Sequence, residues 1–456
     1  MNTNSLKIST KGLISTLVFM LTSGILLAQS VLDNYVEEGL KNNLVLQQKN
    51  ISLQQAQQSL QIARSYFLPS VSLLSDYTSG EGGRSISIPV GDLLNPVYTS
   101  LNQMTQSDAF PQVENVEQNF FPKNFYDARV RTSVPLINTD LYVNRNIQSQ
   151  QVMLKQYELD AYKRQLVLDI KTAYYNQLTA EASVKIYESA LSLVNKNIEI
   201  NESLLRNGKS LPANVMRSNS EAERVRADLN NARNQVINAR KYFNFLLNQD
   251  LDREVNTSTS LLENISLTID TTSIGVNNRE EVQMIKTVQQ INQSSLQMSK
   301  LNRLPKVNAF LDLGTQGSDW KYNNDTRYYL VGVQLSLPLF QGFRNATAIQ
   351  QNKLEIQKTQ QNLMHTTRQL ELATTVAKND LQTTIQNYQA AQEQLKSAQS
   401  YYNLIEKGYK EGVNSLIEFL DARNQLTSSQ IQLNLRQLEI LTAAARVERE
   451  TASYSF

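Results

Sequence analysis

The sequence carries one order of segments twice, and this duplication constrains the fold more than any other feature. In each half, a helical stretch, two alternating segments and a long helical run follow one another. Ser-Val-Pro-Leu-Ile at 133–137 matches Ser-Leu-Pro-Leu-Phe at 336–340, about 200 residues further on. Prolines separate the segments at equivalent places: Pro69 and Pro135 in the first half, Pro305 and Pro338 in the second. The chain is therefore expected to use one supersecondary unit twice.

The long helical runs show heptad spacing. In the run that ends near Arg206, apolar residues recur at alternating steps of four and three, which predicts left-handed coiled-coil packing. About 68 residues at 1.5 Å each make a helix of roughly 100 Å, far longer than a compact globular domain needs. Turns near 206–215 and 407–420, marked by Gly208 and Gly412, return the chain along a second helix.

Four segments alternate between apolar and polar residues with the period of a β-strand. The clearest is 328–337, where Tyr329, Val331 and Leu335 share one face. Four strands cannot close a barrel, and open sheet edges are not tolerated in lipid, so transmembrane strands would require several copies of the chain. An arginine on the lipid face near the midplane costs about 2–4 kcal/mol, so Arg129 and Arg131 are expected to face the lumen.

The N-terminus predicts export. Lys7 and Lys11 precede an apolar run at 13–27, so residues 1–28 are expected to be a secretory signal peptide. The alternative, a membrane anchor, would need about 20 clean apolar residues, and polar residues interrupt this run. Because two of the 44 basic residues lie in this leader, 42 remain against 42 acidic ones, and no nucleic-acid partner is expected. The lack of cysteine excludes disulfides, thiolate catalysis and cysteine-based metal sites.

Two segments interrupt the repeated plan. Residues 78–126 join the first two strands; a connection of about fifty residues is well above the usual length, which favours either a functional loop or a tolerated surface insertion. Residues 249–278 are polar and irregular and form a small insertion within the helical region. These boundaries predict a first repeat at 29–248 and a second at 279–456.

The motifs at the strand–helix junctions and at the second turn resemble the TolC-like outer membrane efflux proteins over essentially the whole chain after the leader. They are Leu68-Pro69-Ser70, the segment Leu-Pro-Leu-Phe-Gln-Gly-Phe-Arg at 337–344, and the turn motif from Tyr409 through Gly412 to Arg423. Each motif is weak alone, but their order and spacing are specific. The resemblance implies a mainly α fold with a membrane β-sector, in which a homotrimer forms a twelve-stranded outer-membrane β-barrel continuous with a twelve-helix α-barrel in the periplasm.

The same resemblance implies a passive exit duct for small molecules, without a cofactor. An inner-membrane pump of the RND, ABC or MFS type would deliver them through a periplasmic adaptor, and the insertion at 249–278 would lie at the equator of the α-barrel. An exit channel for type I protein secretion is the alternative of the same class. The prolines named above, with Gly342, would form the swivel between strands and helices. The turns would dock the adaptor through Asn207, Gly208, Asn214, Val215, Tyr409, Gly412, Ser415 and Leu416.

By the same resemblance, the acidic pair of the periplasmic gate falls on Glu418 and Asp421. Their i, i+3 spacing puts both carboxylates on one helix face, and three copies would form a ring of acids that favours cations. Without the resemblance, a solvated acidic helix face accounts for the pair. Asn214 stands where the family often has an acid, so acid-based closure at the first turn is not expected. A separate departure from the family pattern is that Arg279 is followed by Glu280 and Glu281, without the proline common after that arginine.

Two other classes of function explain the sequence less well than an exit duct does. A soluble periplasmic coiled-coil adaptor or structural protein explains the heptads but not the four alternating segments with paired prolines. An enzyme is not expected, because His365, the only histidine, lies mid-helix among polar residues and no nucleophile, phosphate loop or pocketed carboxylate pair can be recognised. The scarcity of His and Met clusters speaks against a dedicated soft-metal route.

Overall fold

The computed structural model describes residues 31–121, 123–258, 261 and 275–456. The predicted signal peptide at 1–28 and part of the insertion at 249–278 lie outside the described residues. The helices are α1 (31–42), α2 (Leu44–Ser65), α3 (Val90–Thr105), α4 (Thr139–Arg206), α5 (Pro212–Leu246), α6 (Glu280–Leu301), α7 (Arg344–Lys410) and α8 (Leu416–Thr451). The strands are β1 (Ser70–Thr78), β2 (Ser85–Ile88), β3 (Val116–Asn119), β4 (Phe125–Ile137), β5 (Lys306–Ser318) and β6 (Arg327–Ser336).

The chain divides into two compact units. One comprises residues up to Ala56, Gln150–Ile291 and Ile356–Phe456, and the other comprises Gln57–Ser149 and Asn292–Glu355. The second unit contains an antiparallel sheet of order β1-β4-β5-β6, together with a separate ribbon of β2 and β3. A mainly helical chain with a four-stranded sector confirms the predicted fold class of the single chain.

The four-stranded sheet has one apolar face and one polar face. Cross-strand register places Leu73 opposite Val130 and Leu313 opposite Tyr329, and these side chains are exposed to solvent in the single chain. The other face carries Arg131, whose Nε and Nη2 donate to the two Asp312 carboxylate oxygens at 2.7 and 2.6 Å. A sheet with an exposed apolar face and internally paired charges on its polar face is typical of a lipid-facing β-sector.

The first unit is held by a helical core at the predicted heptad positions. Leu166 and Ile170 of α4 are fully buried, and Phe243 of α5 packs edge-to-face on Tyr35 of α1 with ring centroids 5.1 Å apart. Nearer the turns, Val194 of α4 is buried in a second cluster with residues of α5. The spacing of apolar residues therefore predicted the buried stripe of these helices. Among the described residues, no helix combines the length and apolarity needed to cross a membrane.

A buried arginine fixes the start of α6 against the end of α8. Arg279 is 1% exposed, and its Nη1 donates to the backbone oxygen and Oε2 of Glu450 at 2.8 and 3.0 Å, while its Nη2 donates to Glu281 at 2.7 Å. Burial alone would raise the pKa of Glu450, but the hydrogen bond from Arg279 and the charge of Arg449 outweigh burial, and the pKa is lowered. Both charges of this buried pair are thus fully engaged.

Replacing Arg279 by methionine should destabilise the protein by about 3–5 kcal/mol, because a buried carboxylate loses its partner. The matched control is Arg436→Met on α8, since Arg436 pairs only with the exposed Glu439 and such a pair contributes about 0–1 kcal/mol. Guanidinium unfolding of the purified protein, followed by circular dichroism, measures both changes. Equal losses in the two variants would contradict the assigned role of Arg279.

The same pair predicts a pH dependence. A carboxyl group whose pKa is lowered by folding stabilises the protein above its ordinary pKa of about 4.3, and this contribution is lost as the pH falls through the lower folded-state value. In Arg279→Met the pKa of Glu450 is no longer lowered by that partner. The stability deficit of the variant should therefore shrink as the pH falls below about 4. Unfolding midpoints of both proteins between pH 7 and 3.5 test this; a constant deficit would contradict it.

Candidate functional site

Both helix turns close in the same way. Gly208 (φ +67°) follows α4, and the Lys209 N–H donates to the Leu204 oxygen at 2.8 Å. Gly412 (φ +78°) follows α7, and the Val413 N–H donates to the Gly408 oxygen at 2.8 Å. The left-handed conformation with a back-reaching N–H satisfies carbonyl groups that the helix leaves free at its end, and glycine adopts it without strain.

Glu418 is part of a capping box at the start of α8. Its Oε2 accepts the Ser415 N–H at 2.7 Å and the Ser415 hydroxyl at 3.1 Å, while the Ser415 oxygen accepts the Glu418 N–H at 3.3 Å. The backbone hydrogen bond from Ser415 lowers the pKa of Glu418, so its carboxylate stays charged to lower pH. Glu418 therefore has a defined task within a single chain, independent of any assembly.

Asp421 lies one turn further along α8, on the same face as Glu418. Its side chain is exposed and takes part in no hydrogen bond or ion pair with any residue that the structure describes. Of the predicted acidic pair, only Asp421 is thus unengaged in the single chain. The role of both residues in a gate remains a prediction.

The remaining turn residues fall into a packed set and an exposed set. Tyr409 stacks on Phe419 with ring centroids 4.9 Å apart, and its hydroxyl donates to Asn201 Oδ1 of α4 at 3.0 Å. Leu416 is buried beside them, and Asn214 donates to the Ser210 hydroxyl at 3.1 Å. Asn214 and Tyr409 are half-buried, and the other half-buried or exposed members of the predicted docking set are Asn207, Gly208, Val215, Gly412 and Ser415.

Four exposed apolar side chains at the turns were not singled out from the sequence. Leu211 and Met216 flank the first turn, and Val413 and Ile417 flank the second. They could have been found by searching the turns for apolar residues that lie off the heptad stripe. Their exposure at both turns creates apolar surface where the family resemblance places adaptor docking.

A buried ion pair that sequence reasoning also missed joins the two hairpins. Arg423 of α8 is 1% exposed and donates to Glu221 of α5, which also accepts from Arg224; Arg423 Nη2 reaches Asn424 Oδ1 at 2.6 Å. Burial alone would raise the pKa of Glu221, but the Arg224 hydrogen bond and the Arg423 charge lower it on balance, while burial lowers the pKa of Arg423. This pair could have been predicted from the sequence, because Arg423 occupies a heptad position between Phe419 and Leu426 where an apolar residue is expected.

The predicted swivel residues lie at the ends of the long strands. Pro69 and Pro305 each directly precede a strand, and Pro338 follows the end of β6 by two residues. Gly342 (φ +59°) lies just before α7. Pro135 differs, because β4 continues past it to Ile137 with a shift of register against β5. A proline inside an antiparallel ladder supplies no N–H, which accounts for that irregularity.

Arg129 and Arg131, predicted to face the lumen, lie on the polar face of the sheet. Arg129 pairs with Asp127 and lies 3.5 Å from Asp76, and Arg131 pairs with Asp312. Among the residues that the structure describes, no group of three or more His, Cys, Asp or Glu side chains is placed to hold a metal ion.

The family model of the outer membrane efflux protein matches residues 35–249 and 276–452. The outer membrane channel CmeC of Campylobacter jejuni matches with a TM-score of 0.75 and 16% identity, over 92% of this chain and 85% of that one. VceC of Vibrio cholerae matches with a TM-score of 0.73 and 16% identity, over 92% and 95%.

A third similar structure is the open state of the MtrE outer membrane channel of Neisseria gonorrhoeae, with a TM-score of 0.73 and 14% identity over 92% of this chain and 88% of that one. No curated protein sequence matches. At these identities the structural likenesses establish the fold, and the family model covers both repeats. The chain therefore belongs to the outer membrane efflux protein family and serves as an efflux duct in the outer membrane.

Proposed function

We propose that three copies of this chain form one passive exit duct for small molecules, which an inner-membrane pump of the RND, ABC or MFS type delivers through a periplasmic adaptor. The observation that carries the proposal is the sheet order β1-β4-β5-β6, in which β1 and β6 each have one edge without a partner strand among the residues that the structure describes. Unpaired backbone groups are very unfavourable in lipid, so β1 of one copy pairs with β6 of the next. Three copies close such a ring with twelve strands.

The two faces of the sheet support the orientation within that ring. The apolar face, with Leu73, Val331 and Leu335 exposed in the single chain, turns towards lipid. The polar face turns towards the lumen, and Arg129 and Arg131 lie on it beside their carboxylate partners. Pairing these charges within one chain lowers the cost of placing them near the membrane.

The helix turns support adaptor docking. Leu211 and Met216 at the first turn, with Val413 and Ile417 at the second, expose apolar side chains that a partner would cover. These residues join the predicted docking set at the two turns. Both turns are closed by backbone hydrogen bonds at a glycine in the left-handed conformation, so the two hairpins present turns of the same geometry to a partner.

The ion gate is assigned to Glu418 and Asp421 of α8. Three copies bring six carboxylates to one ring at the periplasmic mouth, which attracts cations and repels anions. The backbone hydrogen bond from Ser415 lowers the pKa of Glu418 in the single chain, which favours its charged form. The unengaged Asp421 carboxylate is free to contact ions or a neighbouring copy.

The trimer predicts a definite behaviour in gels and membranes. The protein should fractionate with outer membranes, migrate as a trimer in sodium dodecyl sulfate without heating, and migrate as a monomer after boiling, because the joined strands resist detergent until heated. A matched control is a chain with Val331→Pro and Val333→Pro, which disrupts the edge strand β6. A water-soluble monomer from the unaltered chain would overturn the proposal.

The gate predicts a loss of cation selectivity on removal of its charges. Glu418→Gln with Asp421→Asn should shift the reversal potential in a salt gradient towards zero, because the ring loses its six negative charges. Glutamine retains an oxygen for the Ser415 N–H, so the capping box and the trimer should persist. Planar bilayer recordings measure the shift, and Glu439→Gln, further along α8, serves as the matched control. Unchanged selectivity in the double variant would remove both residues from the gate.

A further inference from the structure

The long connection between β1 and β4 folds into a small subdomain of its own. The ribbon of β2 and β3 flanks the helix α3, and the segment 110–115 runs back along that helix. Asn95 exchanges two hydrogen bonds with the backbone of Val113, both at 2.9 Å. Asn102 does the same with Phe110, at 2.8 and 3.0 Å. The helix is therefore fastened to its own subdomain by amide side chains.

The amphipathic character of α3 is inverted relative to an ordinary surface helix. Leu93, Val97 and Met104 fall within about 40° of one another at 100° per residue, on the side opposite Asn95 and Asn102. Their side chains are 69%, 51% and 81% exposed. A surface helix normally buries such a stripe and turns its amides to water. On α3 the polar side packs and the apolar side is left uncovered.

The ribbon of β2 and β3 also exposes apolar side chains. Ile86 and Ile88 of β2 share one face with Val116 of β3, and about half of each side chain is exposed. Exposed apolar residues scattered singly need no explanation, but a contiguous set on a helix face marks a contact surface. This subdomain therefore has a docking face that the single chain does not cover.

The charge of α3 argues against a lipid surface as the occupant. A helix that lies in a membrane interface carries Lys and Arg on its polar side, which bind anionic lipid head groups. Helix α3 contains no Lys or Arg, and its one charged residue is Asp92. An anionic outer leaflet would repel it. The apolar stripe of α3 is therefore suited to pack against another uncharged, apolar protein surface.

A second copy of the same helix provides such a stripe. The subdomain follows β1, whose free edge faces the neighbouring copy in the proposed trimer, so three identical helices are held around one symmetry axis. Twelve strands spaced about 4.8 Å apart and tilted enclose a mouth roughly 24 Å across. The 16 residues of α3 span about 24 Å at 1.5 Å each. The helix is thus long enough to reach the axis from the rim.

We propose that the α3 helices of three copies pack apolar stripe to apolar stripe across the extracellular mouth of the channel and narrow it. The proposal rests on the trimer described above. Leu93, Val97 and Met104 form the contact, while Asn95 and Asn102 fasten each helix to Val113 and Phe110 of its own subdomain. The exposed apolar face is then buried between copies.

The lack of cysteine in the chain makes a disulfide test unambiguous. Val97→Cys and Met104→Cys place a thiol on the apolar stripe, and Gln103→Cys, which is exposed on another side of the same helix, is the matched control. On oxidation in isolated outer membranes, the two stripe variants should give covalent dimers, in up to about two thirds of chains since three-fold symmetry leaves one chain unpaired. The control should remain monomeric after boiling.

Each alternative result overturns the packing of α3. Equal cross-linking of the stripe and control variants would indicate random collision. No cross-linking in any variant would mean that the helices stay apart. Protection of the Val97→Cys thiol from a water-soluble maleimide in membranes, without cross-linking, would show that lipid covers the stripe. Migration of each unheated variant as a trimer is measured in parallel, so failure of the trimer itself is distinguished from failure of the helix contact.

A second measurement addresses the function of the contact. A chain that lacks residues 85–119 should still assemble into trimers, because strands β1 and β4–β6 remain intact, and its single-channel conductance should rise at least twofold. Gln103→Glu should leave conductance unchanged, whereas Val97→Glu should raise it, because three like charges on the stripe repel one another. Conductance of the shortened chain equal to that of the full chain would overturn the narrowing of the mouth.

Discussion

The unsatisfied edges of the four-stranded sheet are the constraint on which the rest of the molecule depends. Every backbone N–H and C=O in the hydrocarbon core needs a partner within the protein, since lipid offers none. Strands β1 and β6 leave such groups open, and their apolar face is exposed to solvent in the single chain. A single copy therefore cannot satisfy the backbone hydrogen bonds of its sheet edges in lipid. The proposed closure by identical copies would satisfy both requirements with a single type of contact.

That constraint also explains why the charges of the sheet are paired within one chain. Arg131 binds Asp312 through two nitrogens on adjacent strands, so this pair is formed before any partner arrives. The helical unit follows a different rule: Arg279 with Glu450, and Arg423 with Glu221, are buried and join helices distant in the sequence. Buried pairs add little net stability but strongly disfavour arrangements that separate them. They specify which helix packs where.

Much of this architecture could be predicted from periodicity, because alternation and heptads report directly on which faces are buried. The sequence did not predict structural roles for residues that have a second, proposed functional role. Ser415 and Glu418 have the spacing of a capping box, yet the family resemblance drew attention to the acid as a gate residue alone. Helix α3 lies within the connection at 78–126 that the sequence predicts as a loop; Pro89 precedes the helix, and amide hydrogen bonds from Asn95 and Asn102 fasten it to Val113 and Phe110. Such hydrogen bonds between side chains and backbone produce no repeating pattern in the sequence from which they could be predicted.

The proposed gate role of Glu418 is compatible with its observed place in the capping box. In the proposed trimer, bringing six carboxylates into one ring would raise the pKa of each, since like charges disfavour ionisation. The N–H of Ser415 acts in the opposite direction and lowers the pKa of Glu418 before assembly. The capping box thus offsets part of the electrostatic cost of the ring, and it fixes the carboxylate to the first turn of α8. A gate charge that also closes a helix end cannot drift away from the mouth without unwinding that turn.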